Sequence, residues 1–163
     1  MTSREVKIIF ALADAMKSPT AWDDNTFAVE LQSKKDELES LTEAQLDNKL
    51  GWPKRKQLYE SHHKWTLGNV PLRDCWIEWS NGFGDRGSWA KGHVPVVADE
   101  IRKRNDQKDR VWVMANRLDV FFRKIPIICT KIDKGWSIDD GCNRAIAAFI
   151  AGKDAMPACL GQK

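Results

Sequence analysis

The spacing of apolar residues changes character along the chain. From Val6 to Met16 they return every three or four positions (Val6, Ile9, Phe10, Ala13, Met16), the period of one face of an α-helix. Thr2 or Ser3 stands where such a helix wants its N-cap. Ser18-Pro19 ends the run, because the residue before a proline is pushed out of the helical region. A second helix is expected from Asn25 or Thr26 to about Glu39, with Phe27 and Leu31 inward. Thr42 caps a short third helix, which Gly51 closes. Pro53 opens a fourth over 53–61 from the first helical position, where its missing N–H has no helical partner to lose.

Beyond Lys64 the period shortens. Trp65 to Leu72 reads as a strand entering a turn, and Cys75-Trp76-Ile77-Glu78-Trp79 as another. Residues 80–92 carry Gly82, Gly84, Gly87 and Gly92 but match neither the P-loop nor the dinucleotide fingerprint. They read as a surface loop, or as a lid whose Arg86 or Lys91 reaches a bound phosphate. Helices follow over 94–104 and 109–124, the second with Val111, Met114, Leu118 and Phe121 inward. The end of the chain reads as strand 125–132, the turn Asp133-Lys134-Gly135, strand 136–139, helix 142–151, a stop at Gly152 and a short strand over 157–160. The expected fold class is α+β: a small mixed β-sheet with flanking helices over 63–163, plus a helical N-terminal extension over 1–62.

Composition narrows the class. With 163 residues, 42% apolar and 30% charged, the chain is globular rather than disordered. No apolar run reaches membrane-spanning length and no secretory leader is apparent, so the expectation is a cytoplasmic protein with reduced thiols. Cys75, Cys129, Cys142 and Cys159 show neither Cys-x-x-Cys spacing nor a His–Cys cluster suited to zinc. Cys129 and Cys159 fall in strands and read as small buried apolar residues. Eight tryptophans against one tyrosine put aromatic burial on indoles; the alternative is that some stack on a base or sugar, or face a protein partner.

The net charge of +3 says little, but its distribution says more. Asp23, Asp24, Glu30, Asp36, Glu37, Glu39, Glu43 and Asp47 cluster early, and Arg102, Lys103, Arg104, Lys108, Arg110, Arg117, Arg123 and Lys124 cluster late. Arg102, Lys103, Arg104, Lys108 and Arg110 surround a turn at 105–109 and are the natural phosphate contacts if the partner is DNA or RNA; otherwise they are solvated helix faces. The 42–61 pair, with Lys54-Arg55-Lys56 opening its second helix, faintly resembles a helix-turn-helix. Asp47 falls where that motif wants a small residue, so an αα-hairpin is the plainer reading.

The strongest candidate for chemistry is Asp139-Asp140-Gly141-Cys142-Asn143-Arg144. A strand-to-helix turn aims free N–H groups at one point, Gly141 lets the backbone come close, and Arg144 brings a fork suited to phosphate oxygens. Asp139 and Asp140 offer carboxylates to Mg²⁺ or to a proton. The plain alternative is a capped connection with Asp140 as N-cap and Arg144 in a surface pair.

The succession Val70-Pro71-Leu72, Ile125-Pro126-Ile127-Ile128, the 139–144 turn, Arg144-Ala145-Ile146-Ala147 and Met156-Pro157-Ala158 resembles the ParB/sulfiredoxin superfamily, mainly over 124–161. The resemblance implies a nucleotide, ATP or CTP with Mg²⁺, held by its phosphates at Gly141, Cys142, Asn143 and Arg144. It makes Asp139 and Asp140 the catalytic candidates and Asp140 the metal ligand. Superfamily members include CTP-binding partition proteins, ATP-using sulfinic acid reductases, kinases of a free amino acid and nucleases. Cys142 coincides with the reductase cysteine, but Asn143 replaces the histidine that follows it there. Ending at Lys163, the chain is expected to lack a partition protein's DNA-binding and dimerisation domains; a phage or mobile-element accessory protein would fit such a stand-alone domain. Three functions stay open: a nucleotide-dependent phosphotransferase or hydrolase, a metal-dependent nuclease or DNA-binding protein, and a non-catalytic interaction module.

Overall fold

The structure is a computed structural model, and it describes residues 1–16, 24–51, 53–62, 64–78, 91–104, 110–115 and 125–162. By its contacts the chain divides into two compact units, Met1–Thr66 with Gly161–Lys163, and Leu67–Leu160.

The first unit is mainly helical. Helix α1 (Ser3–Ala15) starts at a capping box in which Thr2 and Glu5 satisfy each other's backbone N–H. Helix α2 spans Asp24–Ser40, α3 Glu43–Lys49 and α4 Pro53–Ser61, and α1 packs against all three. Thr42 and Gln45 form a second capping box at α3. Phe27 and Leu38 of α2 are buried, whereas Leu31, expected inward, is half-buried. On α1 the expected Ile9 and Ala13 are half-buried, while Lys7 and Ile8 are buried. Lys7 turns inward because three carboxylates await it: its Nζ lies 2.7 Å from Asp47, 2.7 Å from Glu60 and 3.4 Å from Glu43. Arg55 donates to the Leu50 carbonyl at 3.0 Å and lies 4.3 Å from the Phe10 ring; Lys56 pairs with Asp47 at 2.5 Å. Two of the three cations of the faint helix-turn-helix, Arg55 and Lys56, are thus engaged within their own unit. Asp47, the residue that spoils that motif, is what holds Lys7 and Lys56.

The sheet is built from β1 (Lys64–Pro71), β2 (Cys75–Ile77), β3 (Gly92–His93), β4 (Ile127–Ile132), β5 (Gly135–Asp140) and β6 (Ala155–Gln162), in the order β1-β6-β4-β5-β2-β3. Strands β4 and β5 form an antiparallel hairpin, β2 runs parallel to β5, and β3 antiparallel to β2. The fold class is α+β, a six-stranded mixed sheet with flanking helices. Helices α5 (Val94–Arg104), α6 (Arg110–Ala115) and α7 (Cys142–Ile150) and a single 3-10 turn (Leu72–Asp74) are also described, and α7 packs on α5, α6 and β4. Ile127, Ile128, Cys129 and Ile138 of the hairpin and Ala145 and Ile146 of α7 are fully buried. Of the expected 109–124 helix, Val111 is buried and Met114 half-buried, while Leu118 and Phe121 lie outside the described residues. All four cysteines are free and buried, and burial together with the hydrogen bond its thiol donates to Cys75 pushes the Cys129 thiol's pKa up. No helix among the described residues is long and apolar enough to cross a membrane.

Candidate anion site at the β5–α7 turn

Strand β5 ends at Asp140 and α7 starts at Cys142, so Gly141 alone makes the turn. Gly141 is the N-cap, at φ +90° and ψ 21°, a left-handed conformation in which an L side chain is strained. Space forbids a side chain too: a Cβ there would lie 2.5 Å from Ile127 Cγ2 and 2.9 Å from Arg144 Nη2. The first helical bond runs from Ala145 N–H to the Gly141 carbonyl at 2.9 Å. The N–H groups of Cys142, Asn143 and Arg144 therefore have no acceptor within the helix, and its N-cap, a glycine, offers no side chain to them. Together with the helix dipole they make this end of α7 attractive to an anion.

The hairpin register changes beside the turn. Ile128 pairs with Asp140 and Cys129 with Ile138, so Asp139 is skipped. Such a bulge re-aims side chains at the end of a strand. Asp139 and Asp140 are both half-buried.

Arg144 is not at the surface, as the plain reading expected, nor does its fork point outward, as the phosphate reading expected. It is 5% exposed. Its Nη1 donates to the Ile125 carbonyl and, at 3.4 Å, to that of Pro126. Its Nη2 lies 3.2 Å from Asp140 Oδ2. Burial pushes the guanidinium's pKa down from its ordinary value and the Asp140 charge opposes that, which leaves an always-protonated group still charged. The guanidinium thus lies beneath the turn and ties it to the residues that lead into β4. Asp140 does not cap the helix, contrary to the plain reading.

The other candidates are scattered. Cys142 is buried, its Sγ directed at the Ile138 carbonyl 3.7 Å away, and Asn143 is half-buried. Lys91 is exposed and directly precedes β3. Ile77 pairs with Gly92, and β2 runs parallel to β5, so Lys91 lies at the end of the sheet where β5 meets α7, two strand spacings or about 10 Å across. Arg86 and Lys108 lie outside the described residues, and of Arg110 only the backbone is described. Arg102, Lys103 and Arg104 are exposed at the end of α5. Arg102 donates to the carbonyls of Phe149 at 3.4 Å and Ile150 at 3.2 Å and pairs with Asp99 at 3.0 Å, so it caps the C-terminus of α7. The basic cluster and the anion turn are therefore at opposite ends of α7, separated by about 13 Å of helix.

A resident metal does not fit the donor set. Among the described residues no group of three or more His, Cys, Asp or Glu side chains could hold an ion. Asp140, the expected metal ligand, gives its carboxylate to Arg144. What sequence reasoning missed is the pair of Arg144 acceptors, the carbonyls of Ile125 and Pro126. The local signal was Pro126 itself, which has no N–H to give a sheet ladder and so marks residues that lie before the strand.

No family model matches the chain, and no curated protein matches it. Among solved structures, a sulfiredoxin from Arabidopsis thaliana is similar at 14% identity with a TM-score of 0.37, over 60% of this chain and 86% of that one. No residue's role is carried over from it.

Proposed function

We propose that the β5–α7 turn holds the phosphates of a nucleotide, ATP or CTP, for phosphoryl transfer or hydrolysis. The observation that supports this best is a helix N-terminus made by a left-handed glycine that leaves no room for a side chain at the turn. The sequence resemblance over 124–161 points to the same turn. Gly141 allows close approach, and the N–H groups of Cys142, Asn143 and Arg144 face the phosphate oxygens. In a transfer, the acceptor oxygen would bond to the terminal phosphorus as the bond to the bridging oxygen breaks, and that electron pair would leave on the diphosphate. Asp139 stands for the acceptor's proton, since Asp140 is held by Arg144. No step is routed through Mg²⁺, for which these residues build no seat; an ion arriving with the nucleotide would be part of the substrate.

Thermal unfolding with ATP, CTP, GTP and inorganic tripolyphosphate, each with and without Mg²⁺, tests the reading. A ligand bound only by the folded protein at a hundred times its Kd adds about 2.7 kcal/mol and raises the melting temperature by several degrees. A rise with ATP or CTP and with tripolyphosphate is expected. No rise with any of them at millimolar concentration would remove the reading.

A further inference from the structure

We infer that β1 is an interface: it pairs antiparallel with β1 of a second copy of this chain, about a two-fold axis at Gly68, so that two sheets join edge to edge. Nothing in this pairing depends on the phosphate reading above.

The sheet has two edges, and they differ. At one, β3 is only two residues long and runs directly into α5, and a very short strand is one way of blunting an edge. At the other, β1 has eight residues, and β6 is its one neighbour among the described strands. The middle of β1 is not covered. Thr66, Leu67 and Asn69 are exposed, Leu67 by 64%, and Gly68 is half-buried. Neighbouring residues of a strand point to opposite faces, so both faces meet solvent here. The strand's charge, Lys64, and its proline, Pro71, stand at its two ends. Its middle therefore carries none of the guards that keep an edge from pairing.

Two hydrogen bonds tell which backbone groups of β1 face outward. Leu72 N–H donates at 2.8 Å to the carbonyl of Asp154, the residue before β6, so Thr66, Gly68 and Val70 turn toward β6. The Trp65 carbonyl accepts from the Met1 ammonium at 2.9 Å, so Trp65, Leu67 and Asn69 turn away. A two-fold axis at Gly68 sets Leu67 opposite the partner's Asn69, and such a pair exchanges both its bonds. The next pair is Trp65 with the partner's Pro71. Pro71 has no N–H to give and the Trp65 carbonyl is already taken, so the missing donor meets the occupied acceptor. An axis at Leu67 would instead aim Asn69 N–H at the carbonyl that Met1 holds. An axis at Asn69 would set Leu67 against Pro71 and leave the Leu67 carbonyl without a donor. With the axis at Gly68, glycine faces glycine in the close pair that exchanges no bonds, where a side chain would crowd. The two Leu67 side chains lie diagonally on one face, within reach of each other, and the two Lys64 side chains are at opposite ends of the paired segment.

The test is sedimentation equilibrium of the full chain from about 1 μM to about 200 μM, the range suited to a small strand-to-strand interface. Wild type should pass from monomer to dimer across it. Asn69→Pro removes an N–H that faces away from β6, so the monomer should fold, checked by circular dichroism, and should stay a monomer. Leu67→Lys should weaken the dimer about tenfold or more, because it sets two ammonium groups diagonally across the axis. Gly68→Cys reads the register, since a Cβ there meets only the tip of Leu160, at 3.4 Å. Its thiols should cross-link across the axis under diamide, which takes up the two thiol hydrogens, whereas those of Thr66→Cys, far from the axis, should not. Wild type, with its four buried cysteines, gives the background. A wild type that is monomeric at every concentration leaves the edge to a strand of another protein and overturns the inference, as does a dimer that survives Asn69→Pro. If Asn69→Pro does not fold, the other variants decide. A dimer unchanged by Leu67→Lys, or Thr66→Cys cross-linking as readily as Gly68→Cys, overturns it.

Discussion

At the scale of single residues, the 139–144 turn was legible in composition but not in orientation. Its glycine and its position between strand and helix follow from local rules. Which way Arg144 points does not, because its partners, the carbonyls of Ile125 and Pro126, lie nearly twenty residues away in sequence, as the 19- and 18-residue separations show. Gly141 and Gly152 offer a direct check on the local part. Both have positive φ, +90° and +76°, but a Cβ at Gly152 meets nothing within 4 Å, whereas at Gly141 it meets Ile127 and Arg144. Gly152→Ala should therefore cost only the left-handed strain, about 1–2 kcal/mol. Gly141→Ala adds overlap with a packed core and should cost about 1–3 kcal/mol more. Urea denaturation of the two variants measures the difference, and equal midpoints would show that the space beneath Gly141 is not rigid.

At the scale of elements, most helices and strands were readable because their signals are local: two capping boxes, Pro53 at the start of α4, and the Asp133-Lys134-Gly135 turn between apolar runs. The misses have long-range causes. Strand β3 has only two residues and exists by pairing with β2, so no apolar run announces it. Strand β4 starts at Ile127 rather than Ile125, because Pro126 has no N–H for a ladder and both preceding carbonyls go to Arg144. Strand β6 runs over Ala155–Gln162 rather than 157–160, since its place between β1 and β4 extends it beyond its apolar centre. Lys7 was invisible to periodicity, which treats a lysine as a surface residue. Its network sets the pH response of the helical unit. Asp47 is held below the usual carboxylate range by hydrogen bonds from Lys56 and Lys7, and Glu43 by one from Arg4 and then Lys7. Burial would push Lys7 down, but its hydrogen bonds to Asp47 and Glu60 raise it above the ordinary lysine value. Depressed carboxylates stabilise the fold above their unfolded pKa, near 4, and that contribution is lost as pH falls through the lower folded values. A raised lysine stabilises below about 10.4 and loses this only at higher pH, so stability should be flat across neutral pH. Lys7→Met leaves the carboxylates without their central cation and should cost about 2–4 kcal/mol at pH 7, less than a fully buried pair because Glu43 and Glu60 stand half in water. The gap to wild type should narrow near pH 3, below the carboxylates' unfolded pKa, and close only as pH falls through the lower values they hold in the wild-type fold. Urea midpoints at the two pH values test this, and a constant gap would mean that Lys7 acts by packing rather than by charge.

At the scale of the whole molecule, the charge asymmetry visible in the sequence does not become one continuous basic site. Arg102, the first residue of the expected nucleic-acid surface, caps α7 through the Phe149 and Ile150 carbonyls, while the anion turn opens at that helix's other end. A lysine or arginine in the last turn of a helix is also favoured by the helix dipole, which gives Lys103 and Arg104 a structural reason to be where they are. Phosphate binding at the turn and any contact of the α5 end with nucleic acid should then be separable by mutation. Lys103→Ala/Arg104→Ala, which spares Arg102 and hence the α7 cap, should leave ATP affinity within about twofold of wild type, because charges more than a Debye length of about 8 Å away are screened at physiological salt. If duplex DNA binds at the α5 end, the same variant should lower the slope of log affinity against log salt by about 0.9 for each phosphate contact removed. Fluorescence anisotropy with a labelled duplex at three salt concentrations, alongside ATP titrations of the same preparations, reads both. A tenfold loss of ATP affinity would mean that the basic end of α5 and the turn act as one site. An unchanged salt slope would reduce Lys103 and Arg104 to residues of a helix's last turn, placed there by its dipole.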